Sequence, residues 1–328
     1  MFIKRWGREM TIDFVILWVD NHDPRWQLKK NQYNSDSETL NGAERYRDYG
    51  TLKYWFRMVE ENAPWVNKIH FVTDHQIPSW LNIRHRKLHI VYHEDFMPRD
   101  TLPTFNSNAI QMYIHKIEGL SEHFVLFDDD MFIVKPIKTN IFFDKNGLPK
   151  DVFGFNVINP VDDFAHIFIN NLKVINENYS KRKVVESHFF KIFNWRYGLI
   201  NLVNFYLLPF STFTRFFDIH LPYAYRKSQY QSVMNSYAKQ QELTGHHRFR
   251  EVTDISHWLV RYVRLVQGEF TPMNKGNGKL QYLGEQLKTR NKLLTISDRP
   301  MTDEQFSRTI HQLQQAFEKK YKKSTFEK

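Results

Sequence analysis

A chain of 328 residues without a single cysteine excludes disulfides and thiolate zinc sites, and its length suits one large domain or one domain carrying an insertion. Apolar residues make up 41% and aromatics 16%, with 28 Phe and 16 Tyr, which is enough for a substantial core. The formal net charge of +10 calls for an anionic partner, and nucleic acid, anionic lipid and phosphorylated substrates all fit it. No arginine-rich tail, zinc-finger spacing or RNA-binding aromatic signature is present, so nucleic acid is not expected as a partner.

Met1 to Met10 is basic but precedes only a short apolar strand that runs into Asp20. That is not a secretory signal, and a cytoplasmic protein is the expectation. Ile12 to Val19 reads as the first strand, ending in an Asx/Pro turn at Asp20-Asn21-His22-Asp23-Pro24. Asp20 and Asp23 there are either turn formers or groups that bind a nucleotide or metal. Residues 27–44 are polar and read as a loop. A helix is predicted from about Arg45 to Glu61, with Tyr49, Leu52, Phe56 and Val59 at helical spacing and Ala63-Pro64 as its end. Arg45, Arg47 and Asp48 fall in its first turn. Arginines oppose the helix dipole there, which makes sense if they meet a substrate phosphate, and solvated charge is the other reading.

Lys68 to Asp74 and Leu88 to Tyr92 are the second and third strands. Leu102 to Asn108 precedes a helix with Ile110, Tyr113, Ile114 and Ile117 on one face. Asn106, Ser107 and Asn108 are either ordinary caps or part of a helix start that offers N–H groups to an anion. In Phe124 to Phe132, four apolar residues then run straight into Asp128, Asp129 and Asp130. The apolar run reads as a buried strand, and the acids fall at its C-terminal end, where open α/β sheets bind ligands. Three adjacent carboxylates repel one another, and a divalent metal with oxygen ligands would relieve that repulsion; a solvated acidic turn is the alternative. The order β-α-β-β-α-β predicts a Rossmann-like α/β fold.

Beyond Pro160 the texture changes. Lys181-Arg182-Lys183 is a basic cluster, and Tyr197 to Thr214 carries no charge at all. That stretch has about the minimum length of a membrane span. It also holds Asn201, Asn204 and Pro209 and is rich in Tyr and Phe, so it reads as a segment lying in or against an anionic membrane surface. Burial in the core and a true span are the alternatives. A basic helix is predicted from about Arg226 to Gln240, a basic cluster stands at His246 to Arg250, and Thr253-Asp254-Ile255 opens another helix. The last helix begins at Thr302, whose capping box is completed by Gln305, and carries the stripe Phe306, Ile310, Leu313 and Phe317.

These stretches together resemble the Stealth family of sugar-phosphate transferases of bacterial capsules and surface polysaccharides, related to the animal enzyme that places N-acetylglucosamine phosphate on lysosomal glycans. The first family region is similar to IDFVILWVDNHDPRW, Ile12 to Trp26. The second is similar to Arg45 to Asn82, to LPTFNSNAI at Leu102 to Ile110 and to GLSEHFVLFDDDMF at Gly119 to Phe132. The third is similar to HLPYAYRKS from His220 and RFREVTDIS from Arg248; the fourth, thinner, to LLTISD from Leu293 and the terminal KKSTFEK. Two departures stand out. The family commonly has Asn where this chain has Asp128, which favours Asp129 and Asp130 as the metal pair. Its Leu-Asn-Asp appears here as Ile296-Ser297-Asp298.

The resemblance implies a nucleotide-sugar transferase-like mixed sheet flanked by helices. It divides the chain into an α/β core at 11–160, a variable, largely helical insertion at 161–219 and a helical part at 220–328 that completes the site. It implies transfer of a hexose 1-phosphate from a UDP-hexose or UDP-N-acetylhexosamine to a hydroxyl of a lipid-linked glycan, releasing UMP, at the inner face of the cytoplasmic membrane. Mg2+ or Mn2+ on Asp129 and Asp130, with Asp128, would bridge the diphosphate. His220 would be the general base, although on residue type alone it reads as a surface or structural histidine. Arg250 would stabilise the transferring phosphoryl group. Asp20, Asp74 and Asn106 are candidates for donor binding or orientation, with Arg47, Ser107, Asn108 and Asp254 as further substrate contacts. A metal-dependent glycosyltransferase that releases UDP and a non-catalytic membrane-surface assembly protein are the competing readings.

Overall fold

The computed structural model describes residues 10–33, 38–42, 46–160, 163–218, 220–287 and 290–328. The expectations for residues 1–9, for 34–37 and 43–44 of the predicted loop, and for Arg45 lie outside the described residues. The strands are β1 (Ile12–Leu17), β2 (Ile69–Thr73), β3 (Leu88–Tyr92), β4 (His123–Phe127), β5 (Met131–Ile133), β6 (Lys150–Asp151), β7 (Tyr223–Arg226), β8 (Thr271–Pro272), β9 (Gly278–Tyr282) and β10 (Leu293–Ser297). The helices are α1 (Pro24–Asn31), α2 (Glu38–Asn41), α3 (Leu52–Asn62), α4 (Ser107–Tyr113), α5 (Ala165–Asn178), α6 (Lys181–Ile192), α7 (Ile200–Leu207), α8 (Lys227–Ser236), α9 (Ala238–His246), α10 (Trp258–Val266) and α11 (Asp303–Lys320).

Five strands form the central sheet in the order β3-β2-β1-β4-β7. The first four are parallel and β7 runs antiparallel, so the sheet is mixed, as expected. Phe14 of β1 pairs with Ile69 on one side and Val125 on the other, and that register brings the C-terminal ends of β1, β2 and β4 to one edge. β1 is an almost unbroken apolar run because both its faces are covered. Phe14 packs against the rings of Trp55, Trp65, Phe127 and Phe142 at centroid distances of 4.8–6.5 Å. The buried exception is Asp13, at the opposite end of the strand. It accepts from Asn67 Nδ2 (2.8 Å) and from the backbone N–H groups of Lys68 (3.1 Å) and Ser121 (2.8 Å), which ties the entries of β2 and β4 together.

Four readings are corrected. The helix predicted from Arg45 begins only at Leu52, because Gly50 turns the chain in the left-handed region (φ +60). A Cβ there would lie 2.6 Å from Gln314 Nε2, which donates to Tyr49 O. Arg47 therefore sits in an irregular segment, and the dipole argument does not apply to it. The basic helix predicted from Arg226 is two helices, α8 and α9, preceded by β7. Residues 220–328 are not merely helical, since they supply β7 to the central sheet and β9 and β10 to a second sheet, β5-β10-β9. Lys181 is also no solvated cation: it is buried and donates to Leu207 O (2.6 Å) and Phe210 O (2.9 Å). The capping box at Thr302 and the inward stripe of α11 stand as predicted.

The chain's last residues are pinned to α3. Arg57 donates from Nε and Nη2 to the two carboxylate oxygens of Glu327 (2.8 and 2.9 Å) and from Nη1 to Tyr321 O (3.0 Å). Both side chains of the pair are at most 7% exposed. Losing one partner of a buried pair strands the other charge. Arg57→Ala should destabilise the fold by about 3–5 kcal/mol, read as the shift in urea unfolding. A loss below about 1 kcal/mol, the scale of a surface pair, would contradict this anchoring.

Candidate active site

At the shared edge of β1, β2 and β4 lies a cleft of about 840 Å³. Trp18 and Val19 follow β1 into its wall, Asp74 follows β2, and Asp128, Asp129 and Asp130 follow β4. This is where an open parallel sheet leaves room between strands whose connections diverge. His220, Arg250, His257 and Asp298 complete the wall from the later part of the chain.

The acids meet His220. One ligand atom each from Asp128, Asp130 and His220 lies within 4.8 Å of the others, and His220 Nε2 stands 3.5 Å from Asp130 Oδ2. Asp129 lines the same cleft but does not belong to that cluster, so the geometry pairs Asp130 with Asp128 instead of with Asp129. Burial, reinforced by the charge of Asp130, holds the Asp128 carboxyl up at about 6 and pushes Asp129 well above the usual carboxylate range. Burial works against a charged His220, but the hydrogen bond and charge of Asp130, with Asp128 behind it, raise the imidazole to about 9.

The backbone around this cluster is held by β10. Ile296 N donates to Asp130 O (2.9 Å), and Thr295 Oγ1 donates to His220 O (2.5 Å). His220 itself is in the left-handed region (φ +48), a conformation that persists only where its surroundings hold it. Beside it, Asp218 accepts from Arg261 and from Tyr262 Oη (3.0 Å), and Arg261 is bound to Asp151, Val152 O and Phe217 O. The segment entering His220 is thus fastened to α10.

A divalent cation fits these residues on their own chemistry. Asp130 Oδ1 is buried with no hydrogen-bond partner among the described residues. The two carboxylates, Asp128 and Asp130, are oxygen donors of the kind that Mg2+ or Mn2+ accepts.

Arg250 also lines the cleft. Its Nη2 donates to Ser107 Oγ (3.0 Å), its backbone N–H donates to Asn41 Oδ1 (2.9 Å), and its guanidinium lies 5.6 Å from the centre of the Tyr46 ring. Arg47 also lines the cleft, 3.6 Å from Asp298 and 3.2 Å from Asp303, stacked over Phe306 at 4.8 Å. Asp74 is bonded through both oxygens to Lys29 Nζ (2.8 Å). Ser107 and Asn108 face the cleft.

Three of the residues read from the sequence are not in the wall. Asn106 caps α4 by accepting from Asn108 N (3.0 Å). Its Nδ2 donates to Asp254 Oδ2 (2.8 Å), and Asp254 Oδ1 bonds His247 Nδ1 at 2.7 Å. Asn106 and Asp254 are both fully buried, and their bond fastens α4 to the loop that carries Arg250. Asp20 shapes its own turn by accepting from His22 N (2.8 Å), and its backbone is clasped by Gln76.

Sequence reading missed Asp298, His257 and Trp258, which line the cleft, and Asp48, whose charge faces Asp129. Asp298 was within reach, since it ends an apolar strand as Asp128 does. His257 was not, because nothing in its neighbours signals that it bonds Tyr225 Oη (2.8 Å) and that burial, with His220 nearby, drives its imidazole down to about 3.

A mixed α/β sheet with a carboxylate and imidazole cluster at its C-terminal edge, in a cleft also lined by arginines, is the frame of a transferase. The comparisons narrow this. The profile described as Stealth protein CR2, conserved region 2, matches residues 45–151. An exopolysaccharide phosphotransferase, cps2G, of Lactiplantibacillus plantarum is 44% identical over 325 residues, covering 97% of this chain and 96% of the relative. A capsular polysaccharide phosphotransferase, WcwK, of Streptococcus pneumoniae is 41% identical over 97% of this chain and 98% of its own. A receptor polysaccharide phosphotransferase, WefC, of Streptococcus gordonii is 40% identical over 82% and 81%. The chain belongs to the Stealth family.

The raised groups carry a pH signature. Asp128 and Asp129 titrate above their unfolded value in the fold, so the stability they contribute is complete below about pH 4 and lost as pH rises, through about 6 for Asp128. His220 contributes fully below about pH 6.5 and loses its contribution as pH rises through about 9. In EDTA, the Tm should therefore fall between pH 6.5 and 9, and His220→Gln should reduce that fall by about 2 °C or more. Parallel Tm curves for the two proteins would contradict the His220–Asp130 pairing.

Proposed function

We propose that this chain transfers a hexose 1-phosphate from a UDP-hexose or UDP-N-acetylhexosamine to a hydroxyl of a lipid-linked glycan in capsular or exopolysaccharide synthesis, at the inner face of the cytoplasmic membrane. The observation that carries the reading is that the Asp128–Asp130–His220 cluster and Arg250 line one cleft, with the charge of Arg250 acting on Asp128. The relatives' names, which specify polysaccharide phosphotransfer, support it.

Phosphoryl transfer depends on charge neutralisation and positioning more than on covalent chemistry. A Mg2+ or Mn2+ held by Asp128 and Asp130 would supply the positive charge that a diphosphate needs. An ion on those carboxylates would offset the negative charge that keeps the proton on His220, and the ring would then be able to accept one. The acceptor hydroxyl gives its proton to His220, its oxygen forms a bond to the β-phosphorus, and the bond from that phosphorus to the bridging oxygen breaks. UMP leaves with the bridging oxygen, and the hexose remains esterified to the transferred phosphate as a phosphodiester. Arg250, steadied by Ser107 and Tyr46, stabilises charge on the transferring group. Arg47, braced by Asp298 and Asp303, and Asp74 face the donor, while Asn106 and Asp254 hold Arg250 in position.

Incubation with UDP-sugars, Mg2+ or Mn2+ and a lipid-linked glycan fraction should yield UMP, with hexose and phosphorus both gained by the acceptor. UDP as the product would overturn the reading and make the chain a glycosyltransferase. Arg250→Met should lower kcat by about 10²–10³-fold, the scale of one lost charge-stabilising donor. Asp130→Asn should lower it at least as far without loss of the folded state. A purely structural Arg250 would instead show near-normal kcat with reduced Tm.

A further inference from the structure

A surface helix normally turns polar residues to water. α7 does the reverse. Ile200, Asn204 and Leu207 face inward, and Leu202, Phe205 and Tyr206 face out. With Phe190, Trp195 and Leu199 just before them, these make six large apolar side chains within 17 positions, each at least 67% exposed. Scattered exposed apolar residues need no explanation, but a contiguous patch marks an interaction surface.

The patch is rigidly presented. Asn204, fully buried, donates to Phe153 O (3.1 Å) and Ile192 O (2.8 Å) and accepts from Phe155 N (2.6 Å). Lys181 ties the start of α6 to Leu207 O and Phe210 O, and Lys191 ties its end to Gly268 O (2.5 Å) and Phe270 O (3.1 Å). The buried Lys181 and the half-buried Lys191 thus anchor the helix pair through backbone carbonyls, and the apolar side chains remain outside.

Charge selects the occupant. Residues 181–217 hold six Lys and Arg and one carboxylate, Glu186. Arg182, Lys183 and Arg196 stay at the surface, with Arg182 paired to Glu186 and Arg196 stacked over Trp195 at 4.7 Å. A second copy of the chain would bring like charges together around the patch, whereas an anionic lipid surface complements them. Trp195 and Tyr206 are the residue types that favour the headgroup level. α7 is only about 12 Å long against a hydrocarbon core of about 30 Å, and among the described residues no helix is long and apolar enough to cross a membrane.

We propose that the outward face of α6 and α7, from Phe190 to Phe210, is a monotopic docking surface for an anionic phospholipid bilayer, lying in the plane of the interface. α5 joins it to the site. Ile167, in the first turn of α5, lines the cleft, and Asn176, near its C-terminal end, exchanges hydrogen bonds with Phe213 just past α7 (3.0 and 2.9 Å). This surface extends the lipid-linked acceptor reading, and its test scores binding and not turnover, so the two fail separately.

The test is sedimentation of the full chain with phosphatidylcholine vesicles, with and without phosphatidylglycerol. The wild type should bind the anionic vesicles and lose binding in high salt. W195S/L202S/F205S/Y206S should bind at least about ten-fold more weakly with unchanged Tm, since its four sites face water. Should the fourfold variant fail to fold, W195S and Y206S singly should each weaken binding, and R182Q/K183Q/R196Q should weaken it on anionic vesicles only. Equal binding by wild type and variants, or no binding by the wild type, would overturn the proposal. So would a wild-type dimer that becomes a monomer in the fourfold variant.

Discussion

Three consecutive carboxylates at the end of a buried strand repel one another, and much of the molecule is arranged around holding them there. The register of β1 against β2 and β4 carries them to the open edge of the sheet. β10 then clamps Asp130 through its carbonyl, and the same strand clamps His220. Nothing in that frame relieves the repulsion fully. Asp130 Oδ1 is buried without a hydrogen-bond partner among the described residues, and Asp128 and Asp129 hold their protons far more tightly than carboxylates in water. An unrelieved cluster of this kind costs stability, and such costs persist where a bound charge removes them.

The site is assembled from distant parts of the chain. Asp128 and Asp130 precede the insertion at 161–219, whereas His220, Arg250 and the clamp strand β10 follow it. Each late element is joined to an early one by a specific bond: Arg57 to Glu327, Asn106 to Asp254, Asp130 to Ile296. Buried polar groups satisfied in this way set geometry more than they add net stability. They close the frame around the cleft without using the outer face of α6 and α7, which leaves that face open to a different task from catalysis.

Elements whose signal is local were legible in the sequence. The parallel strands showed as apolar runs that stop at acids, and α11 showed its capping box and stripe. The same logic placed Asp128, Asp129 and Asp130 at the cleft before any coordinates. What failed depended on partners far along the chain. β7 carries no strand signal because YAYR mixes aromatic and charged residues, and only its pairing with β4 makes it an edge strand. The start of α3 was displaced by Gly50, whose turn is enforced by Gln314 more than 260 positions away. Asn106 and Asp254 looked like ligands because Asn and Asp are ligand types, but their mutual bond behind the wall is invisible in one dimension. For the charge-free stretch Tyr197 to Thr214, composition left core, surface and span all open. Only the fold shows that Asn204 points inward and the aromatic side chains outward.

The account stands or falls on whether the acid cluster holds a divalent cation. Mn2+ titration followed by electron paramagnetic resonance, with UDP present, addresses this without any acceptor. The account predicts a single Mn2+ bound by the wild type and at least about ten-fold weaker binding by Asp128→Asn and by Asp130→Asn, with both variants folded. Undiminished affinity in both variants, or no Mn2+ bound by the wild type, would contradict it.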